Sequence, residues 1–271
     1  MTERESWQVE GSAAEVYESQ LVPAIFAEWA PRLVGAANVI QGNRILDVAC
    51  GTGIVAREAS TRIGTDGTVT GFDLNEGMLK VARKISSNIN WQQGDVMNLP
   101  FDDNIFDVVL CQAAFMYFPD RAVALKEMTR VLVPGGTVGL HVWGSIEQSP
   151  GYVILTEIMQ RLIGKEAANV LTAPFVLGNK NELEKIVMDS GKLGPPNIVT
   201  SLGNINYPSV EAFIKFEVEG TPLNSLLGGT SSSAYRRLVE ESKKGLKSFC
   251  SDDDSISFPI EAHIVTTKKK L

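Results

Sequence analysis

Three carboxylates in the first hundred residues stand where chemistry on a nucleotide-like ligand would need them. Asp47 lies in ILDVACGTG (residues 45–53), Asp73 closes TVTGF (residues 68–72), and Asp95 follows residues 89–92 between Gly94 and Val96. A carboxylate can accept from two vicinal hydroxyls or from an exocyclic amine. Asp73 suits a diol, and Asp95 suits an amine, with Val96 packing on a flat ring. Asp47 interrupts the apolar run Ile45, Leu46, Val48, Ala49, and a carboxylate inside a buried strand is costly unless something offsets it, so a partner is expected. Gly51-Thr52-Gly53 lets the backbone turn and approach a ligand without Cβ clashes. The helix that starts at Ile54 presents free N–H groups and a partial positive charge.

Spacing alone leaves several readings open. Gly51-x-Gly53-x-x-Ala56, with Asp73 about 20 residues beyond, also satisfies a dinucleotide fingerprint, which would make the chain a nicotinamide-dependent oxidoreductase. A tight strand-to-helix turn that binds nothing is the bland alternative. The histidines are His141 and His263. His141 is the candidate general base, facing the same way as Gly139 and Trp143 if strand alternation holds; a hydrogen-bonded core histidine is its other reading. Cys50, Cys111 and Cys250 are scattered without ligand spacing, so no metal site is expected.

The elements that must position these residues follow from periodicity and turn signals. Strands are expected at 44–49, 68–72, 89–92, 105–111 and 137–143, with helices at 54–62, 75–86 and 120–130 and a tight turn at Pro134-Gly135-Gly136. Five strands with helices between them predict a parallel, doubly wound sheet with right-handed crossovers. Ahead of it, residues 12–35 have helical spacing at Val16, Leu21, Ile25, Phe26, Trp29 and Leu33, broken at Pro23 and Pro31, with Ser12 and Glu15 as a capping box. This arm either closes over the ligand with the Tyr17 hydroxyl or packs into the core. Beyond residue 143, helices are expected at 151–162, 181–190, 209–219 and 235–249, strands at 198–205 and 258–267, and a solvated tail at Lys268–Lys270. The division is 1–43 arm or lid, 44–145 ligand-binding core, 146–235 substrate cap with strand six, and 236–271 final helix and strand seven.

Composition bounds the partners. The chain has 271 residues, 44% apolar and 21% charged, and a net charge of −7. That acidic balance argues against nucleic acid, and no apolar run reaches the ~20 residues of a membrane span. MTERESWQVE carries no apolar leader, and dispersed cysteines fit a reducing, cytoplasmic compartment.

With Asp47, Gly51, Gly53, Asp73, Asp95 and LVPGG (residues 132–136) in place, the chain resembles the class I S-adenosylmethionine-dependent methyltransferases over residues 10–145. It is most similar to the small-molecule subgroup that includes the ubiquinone and menaquinone biosynthesis enzymes. The resemblance implies a Rossmann-like sheet of seven strands, mostly parallel, with the last strand antiparallel between five and six and a helical cap after strand five. It implies that Asp47, Ala49, Gly51 and Gly53 hold the methionine end of S-adenosylmethionine and that Asp73 takes the ribose. Leu74 then lies beside the adenine, Gly94, Asp95 and Val96 clamp it, and Met78 belongs to the same cofactor site. Gln112 would line the methyl-transfer site and Tyr17 would cover the cofactor. Residues 111–115 read CQAAF, without the Asn/Asp-Pro-Pro-aromatic motif of enzymes that methylate amino groups of DNA or protein. The arginine-rich segment of the quinone enzymes and the clustered cysteines of arsenite methyltransferases are also missing. A small apolar or aromatic metabolite is therefore the implied acceptor, with O-, N- or C-methylation open. In-line alignment would be the main demand on the protein, since orientation supplies up to ~7–11 kcal/mol. A nicotinamide-dependent oxidoreductase and a non-enzymatic S-adenosylmethionine-binding module are the competing readings.

Overall fold

The structure, a computed structural model, describes residues 12–271. The leader reading of the first ten residues and the Ser12 side chain of the capping box lie outside what it describes. The chain enters through α1 (Ser12–Val16), which continues into a π-helical segment, Tyr17–Phe26, and then α2 (Trp29–Ala36). The break expected at Pro23 is absent. Pro23 lies inside the π segment, whose wider turn (Ala27 N–H donates to the Val22 carbonyl, five residues back, at 2.8 Å) accommodates a ring that lacks a donor. Pro31 falls in the first turn of α2, where its missing N–H would have no intrahelical partner anyway.

The core follows as β1 (Arg44–Val48), α3 (Ile54–Ile63), β2 (Thr68–Asp73), α4 (Glu76–Ile85), β3 (Asn90–Gln93), β4 (Phe106–Gln112), α5 (Arg121–Val131) and β5 (Leu132–Trp143). Next come α6 (Pro150–Leu162), α7 (Lys165–Thr172), α8 (Lys180–Met188), β6 (Asn197–Tyr207), α9 (Val210–Glu219), α10 (Leu223–Leu227), α11 (Ser233–Gly245) and β7 (Ile256–Lys268). The sheet order is β3-β2-β1-β4-β5-β7-β6, with β7 antiparallel to both neighbours. Ile45, Leu46 and Val48 are fully buried, as a central parallel strand requires. Strand order reverses between β1 and β4. Right-handed crossovers then put α3 and α4 on one face and α5 on the other, and they open a crevice at the carboxyl ends of the strands.

Three departures have physical causes. β5 begins at Leu132 rather than 137, because Phe106 pairs with Leu132 and Val108 with Thr137, so the Pro-Gly-Gly residues bulge out of a continuing strand. Helix α7 was not foreseen; it starts from Gly164 at φ 126°, a backbone open to glycine. The lysine tail is not simply solvated. Lys268 pairs with Thr137, and Lys269 Nζ donates to Asn104 Oδ1 at 2.8 Å and to the Leu132 and Arg130 carbonyls at 2.7 and 3.2 Å. A cation there meets the carbonyl-rich end of α5.

Candidate active site

The turn after β1 is built from left-handed residues: Ala49 at φ 52°, Gly51 at 56° and Gly53 at 89°. Asp47 Oδ2 accepts from Ala56 N–H at 2.9 Å, so its partner is the first turn of α3. Burial pushes its carboxyl up to about 8, against the pull of that backbone donor. Asp73 reaches back to the same turn. Its two oxygens accept from Gly51 N–H and Asn75 N–H, both at 2.7 Å. Burial raises its carboxyl and the backbone donors lower it. Asn75 caps α4 by accepting from Gly77 N–H at 2.8 Å and Met78 N–H at 3.3 Å, which relieves Asp73 of capping.

Two cavities open at the carboxyl edge. The first, about 520 Å³, is lined by Ala49, Phe72, Asp73, Leu74, Asn75, Gly94, Asp95 and Val96 on one side and by Ala114, Met116, Tyr117 and Arg121 on the other. Asp95 accepts from Met97 N–H at 2.9 Å, which fixes its carboxylate at the rim. A Cβ on Gly94 would come within 2.4 Å of the Phe72 ring, so the bare backbone there is a packing requirement. The second cavity, about 510 Å³, is walled by Tyr17, Leu21, Ile25 and Phe26 of the arm, Met78, Ala113, Tyr117 and Trp143, and Tyr152, Phe175, Phe216 and Glu217 of the cap. Tyr117 lines both. A third cavity, about 660 Å³, lies around 133–137 and Asn43, at the opposite end of the strands, away from these carboxylates and from the edge where such sheets bind ligands.

The arm is latched over the glycine turn. The Tyr17 ring and hydroxyl lie 3.8 Å from where a Gly51 Cβ would stand, and Tyr17 stacks on Phe26 at 5.4 Å. Glu18 pairs with Arg57 at 2.7 Å, and Arg57 also donates to the Thr52 carbonyl at 2.6 Å.

Of the residues singled out in the sequence, Ala49, Asp73, Leu74, Gly94, Asp95 and Val96 line the first cavity, and Tyr17 and Met78 line the second. Met78, expected at the cofactor, lines the second cavity and not the first. Asp47, Gly51, Gly53, Gln112 and His141 line neither. Gly53 makes room for Trp91, whose ring lies 2.2 Å from a would-be Cβ. Gln112 Nε2 donates to the Phe26 carbonyl at 3.1 Å, and its buried oxygen has no hydrogen-bond partner; it ties the arm to β4 while Ala113 forms the wall. His141 is fully buried between the Trp29 and Trp143 rings at 4.9 and 4.7 Å, and both its nitrogens lack partners. Burial lowers it to about 3, so it is neutral and walled off from both cavities. His263 contacts Thr200 Oγ1 at 2.8 Å and the Gly178 carbonyl at 2.9 Å, an internal brace. Among the described residues no His/Cys/Asp/Glu group has metal-binding geometry.

Two features escaped sequence reading. Ala113, like Ala49, is a non-glycine residue at positive φ (54°), and the two flank the crevice between β1 and β4. Strained backbone of this kind concentrates at functional sites. Glu217 stands on the buried stripe of α9 with Val210, Phe213, Ile214 and Val218, and a carboxylate on an apolar stripe is the signal that would have found it.

Comparison with known proteins agrees with this geometry. The family described as "Methyltransferase domain" matches residues 46–140. The chain is 46% identical over 111 residues to a demethylmenaquinone methyltransferase of Staphylococcus carnosus, covering 40% of this chain and 46% of that protein. It is 43% identical over 113 residues to the Staphylococcus aureus enzyme of that name, covering 41% and 47%. The chain therefore spans about half the length of the curated relatives it matches. Among solved structures, the YcgJ protein of Bacillus subtilis superposes with a TM-score of 0.60 at 18% identity, covering 90% of this chain and 99% of that one. A putative methyltransferase of Bacillus halodurans gives 0.58 at 23%, covering 89% and 99%. These likenesses show the fold. Residues 46–140 thus match the methyltransferase-domain family, and in this structure they are set in a seven-stranded sheet.

Proposed function

We propose that this protein moves a methyl group from S-adenosylmethionine to a small molecule. The observation that carries the reading is the pair of cavities meeting at Tyr117, one lined by Asp73 and Asp95 and the other by aromatic and aliphatic side chains. The residues present fit the cofactor. Asp73, already held by two backbone donors, presents its carboxylate to a ribose diol. Leu74, Val96 and the backbone at Gly94 border a flat base, and Asp95 accepts from its amine. The left-handed turn at Ala49 and Gly51 receives the methionine end. Asp47 acts indirectly, by fixing that turn to α3, and Gly53 by admitting Trp91. Tyr17 and the Glu18–Arg57 pair close the arm over the turn and keep water out. Bound there, S-adenosylmethionine supplies a methyl on a sulfonium that loses its charge as the methyl leaves. The protein's task is alignment and exclusion of water, which suits a site with few polar groups.

Arm 1–43, core 44–145, cap 146–235 and closing segment 236–271 then divide the labour as lid, cofactor site, acceptor site and sheet completion. The acceptor cavity, about 510 Å³, is the size of a small-molecule site. Its cap residues lie beyond the matched stretch 46–140, so the demethylmenaquinone of the relatives is not carried over to this chain. Neither His141 nor Gln112 is given a proton-transfer role. A cytoplasmic setting without nucleic-acid or membrane partners goes with this reading; among the described residues no helix is long and apolar enough to cross a membrane, and the three cysteines are unpaired thiols. Calorimetric titration with S-adenosylmethionine, S-adenosylhomocysteine and NADH tests the proposal. Micromolar binding of the first two and silence from NADH are expected. NADH binding alone would return the oxidoreductase reading. Cofactor binding without turnover of any acceptor would favour a non-enzymatic module.

A further inference from the structure

The second cavity has an unusual electrostatic make-up. Seven aromatic side chains contribute to its wall, and no lysine, arginine or histidine does among the described residues. Its charged groups are Glu217 and Glu219. Glu217 projects from α9, and its Oε1 accepts from the Tyr152 hydroxyl at 2.8 Å. Tyr152 is held in place by Phe175, Phe213 and Phe258, at ring distances of 5.3 to 5.9 Å. The carboxylate is thus aimed by a braced tyrosine. It is half-buried and borders the cavity.

We propose that Glu217 is the acceptor-binding carboxylate of this site, and that the acceptor is an uncharged or cationic molecule with an apolar body whose nucleophilic nitrogen or oxygen carries a proton that passes to Glu217. This rests on the methyltransferase reading and names its substrate class. The step balances. The X–H bond breaks and the proton goes to the carboxylate. The lone pair on X forms a bond to the methyl carbon, and the electron pair of the carbon–sulfur bond stays on sulfur. Glu217 then returns its proton to water. Three observations converge. Among the described residues an anionic acceptor would find no countercharge here and two carboxylates against it. A cationic or polar head would find aromatic faces and one carboxylate. Burial also lifts the Glu217 carboxyl to about 7, where it both gives and takes a proton near neutral pH. The groups facing it are the hydroxyls of Tyr152, Tyr117 and Tyr207 and, on its own helix, Glu219.

The test uses three probes that share one body: 2-phenylethylamine, 2-phenylethanol and phenylacetate. They are titrated calorimetrically into the full chain with and without S-adenosylhomocysteine. The wild type should bind the amine and the alcohol and bind the acid at least about tenfold more weakly. Glu217→Gln should lose about tenfold for the amine and narrow the gap to the acid. Amine affinity in the wild type should rise as pH increases through about 7, be flat with pH in Glu217→Gln, and rise at higher pH in Tyr152→Phe, which removes the donor that favours the ionised form. Should Glu217→Gln fail to fold, the Tyr152→Phe shift decides. Phenylacetate binding as tightly as the alcohol, binding of none of the probes, or an unchanged pH profile in the variants would overturn the proposal. A chain that ignores S-adenosylhomocysteine but ranks the probes as stated would instead refute the methyltransferase reading, and with it the proton transfer, and leave Glu217 as a ligand-binding carboxylate.

Discussion

Replacing Asp73 separates a residue that merely shapes a turn from one that also holds a ligand. Its carboxylate accepts two backbone N–H groups at 2.7 Å, from Gly51 and Asn75. Hydrogen bonds to a charged group contribute about 1.5–3 kcal/mol each, so Asp73→Ala removes up to twice that. The cavity beside it can send water to the stranded donors, which brings the expected loss of stability to about 2–4 kcal/mol. Asp73→Asn keeps one acceptor oxygen and turns an NH₂ toward the second donor, so it should cost roughly half as much. Binding tells the two roles apart. If the carboxylate also takes a ribose diol, both variants lose a charge-assisted contact, and the dissociation constant for S-adenosylhomocysteine rises about 10- to 100-fold. Urea unfolding followed by tryptophan fluorescence gives the first quantity and calorimetry the second. A folded Asp73→Asn protein that binds within twofold of wild type would refute the diol role and leave Asp73 a turn residue.

Further outcomes follow from the same geometry. Gly94→Ala places a Cβ 2.4 Å from the Phe72 ring, and overpacking of this kind should cost about 1–3 kcal/mol in thermal unfolding. Ala113→Gly relieves a left-handed alanine at φ 54°; stability should stay level or rise by up to about 1 kcal/mol, and a clear loss would show that the methyl packs productively. The folded carboxyls of Asp47 and Glu217 stand raised to about 8 and about 7 from ordinary values of 3.8 and 4.5. The folded state therefore keeps protons that the unfolded chain releases, and the stability these groups contribute is full below about pH 4 and declines as pH climbs toward 7 to 8. Glu217 accounts for about 3 kcal/mol of that decline, so urea unfolding at pH 5 and pH 8 should show a shallower slope for Glu217→Gln, and an equal slope would contradict it.

How much of this was legible depended on whether a feature is local. The run Ile45–Val48, the glycines after it and the Pro-Gly-Gly corner are local, and the parallel sheet follows from their repetition. Asp73 and Asp95 were visible because an acid after a strand end is itself a pattern. Their neighbour Asp47 was visible as a carboxylate needing a partner, but not as one whose partner is the main chain at Ala56. Pro23 reads as a break because proline disrupts an α-helix, and sequence gives no hint that the helix widens to a π turn there. The lysine tail reads as solvated because charge is assumed to seek water; Asn104, the end of α5 and the start of β5, all distant in sequence, supply the three acceptors that hold Lys269 instead. His141 drew attention as a base because histidine titrates near neutral pH; Trp143 on its own strand was visible beside it, but the ring of Trp29 that completes its burial comes from the distant helix α2. Glu217 was hidden in a helix read as amphipathic, since the cavity it borders exists only once arm, core and cap meet.

The most direct measurement is a crystal structure of the chain with S-adenosylhomocysteine. The ribose hydroxyls should lie on the Asp73 carboxylate, with the base between Leu74 and Val96. The sulfur should face the aromatic cavity beside Tyr17 and Tyr117. The ligand seated elsewhere, or its sulfur turned away from that cavity, would contradict the assignment of the two cavities as donor and acceptor halves of one site.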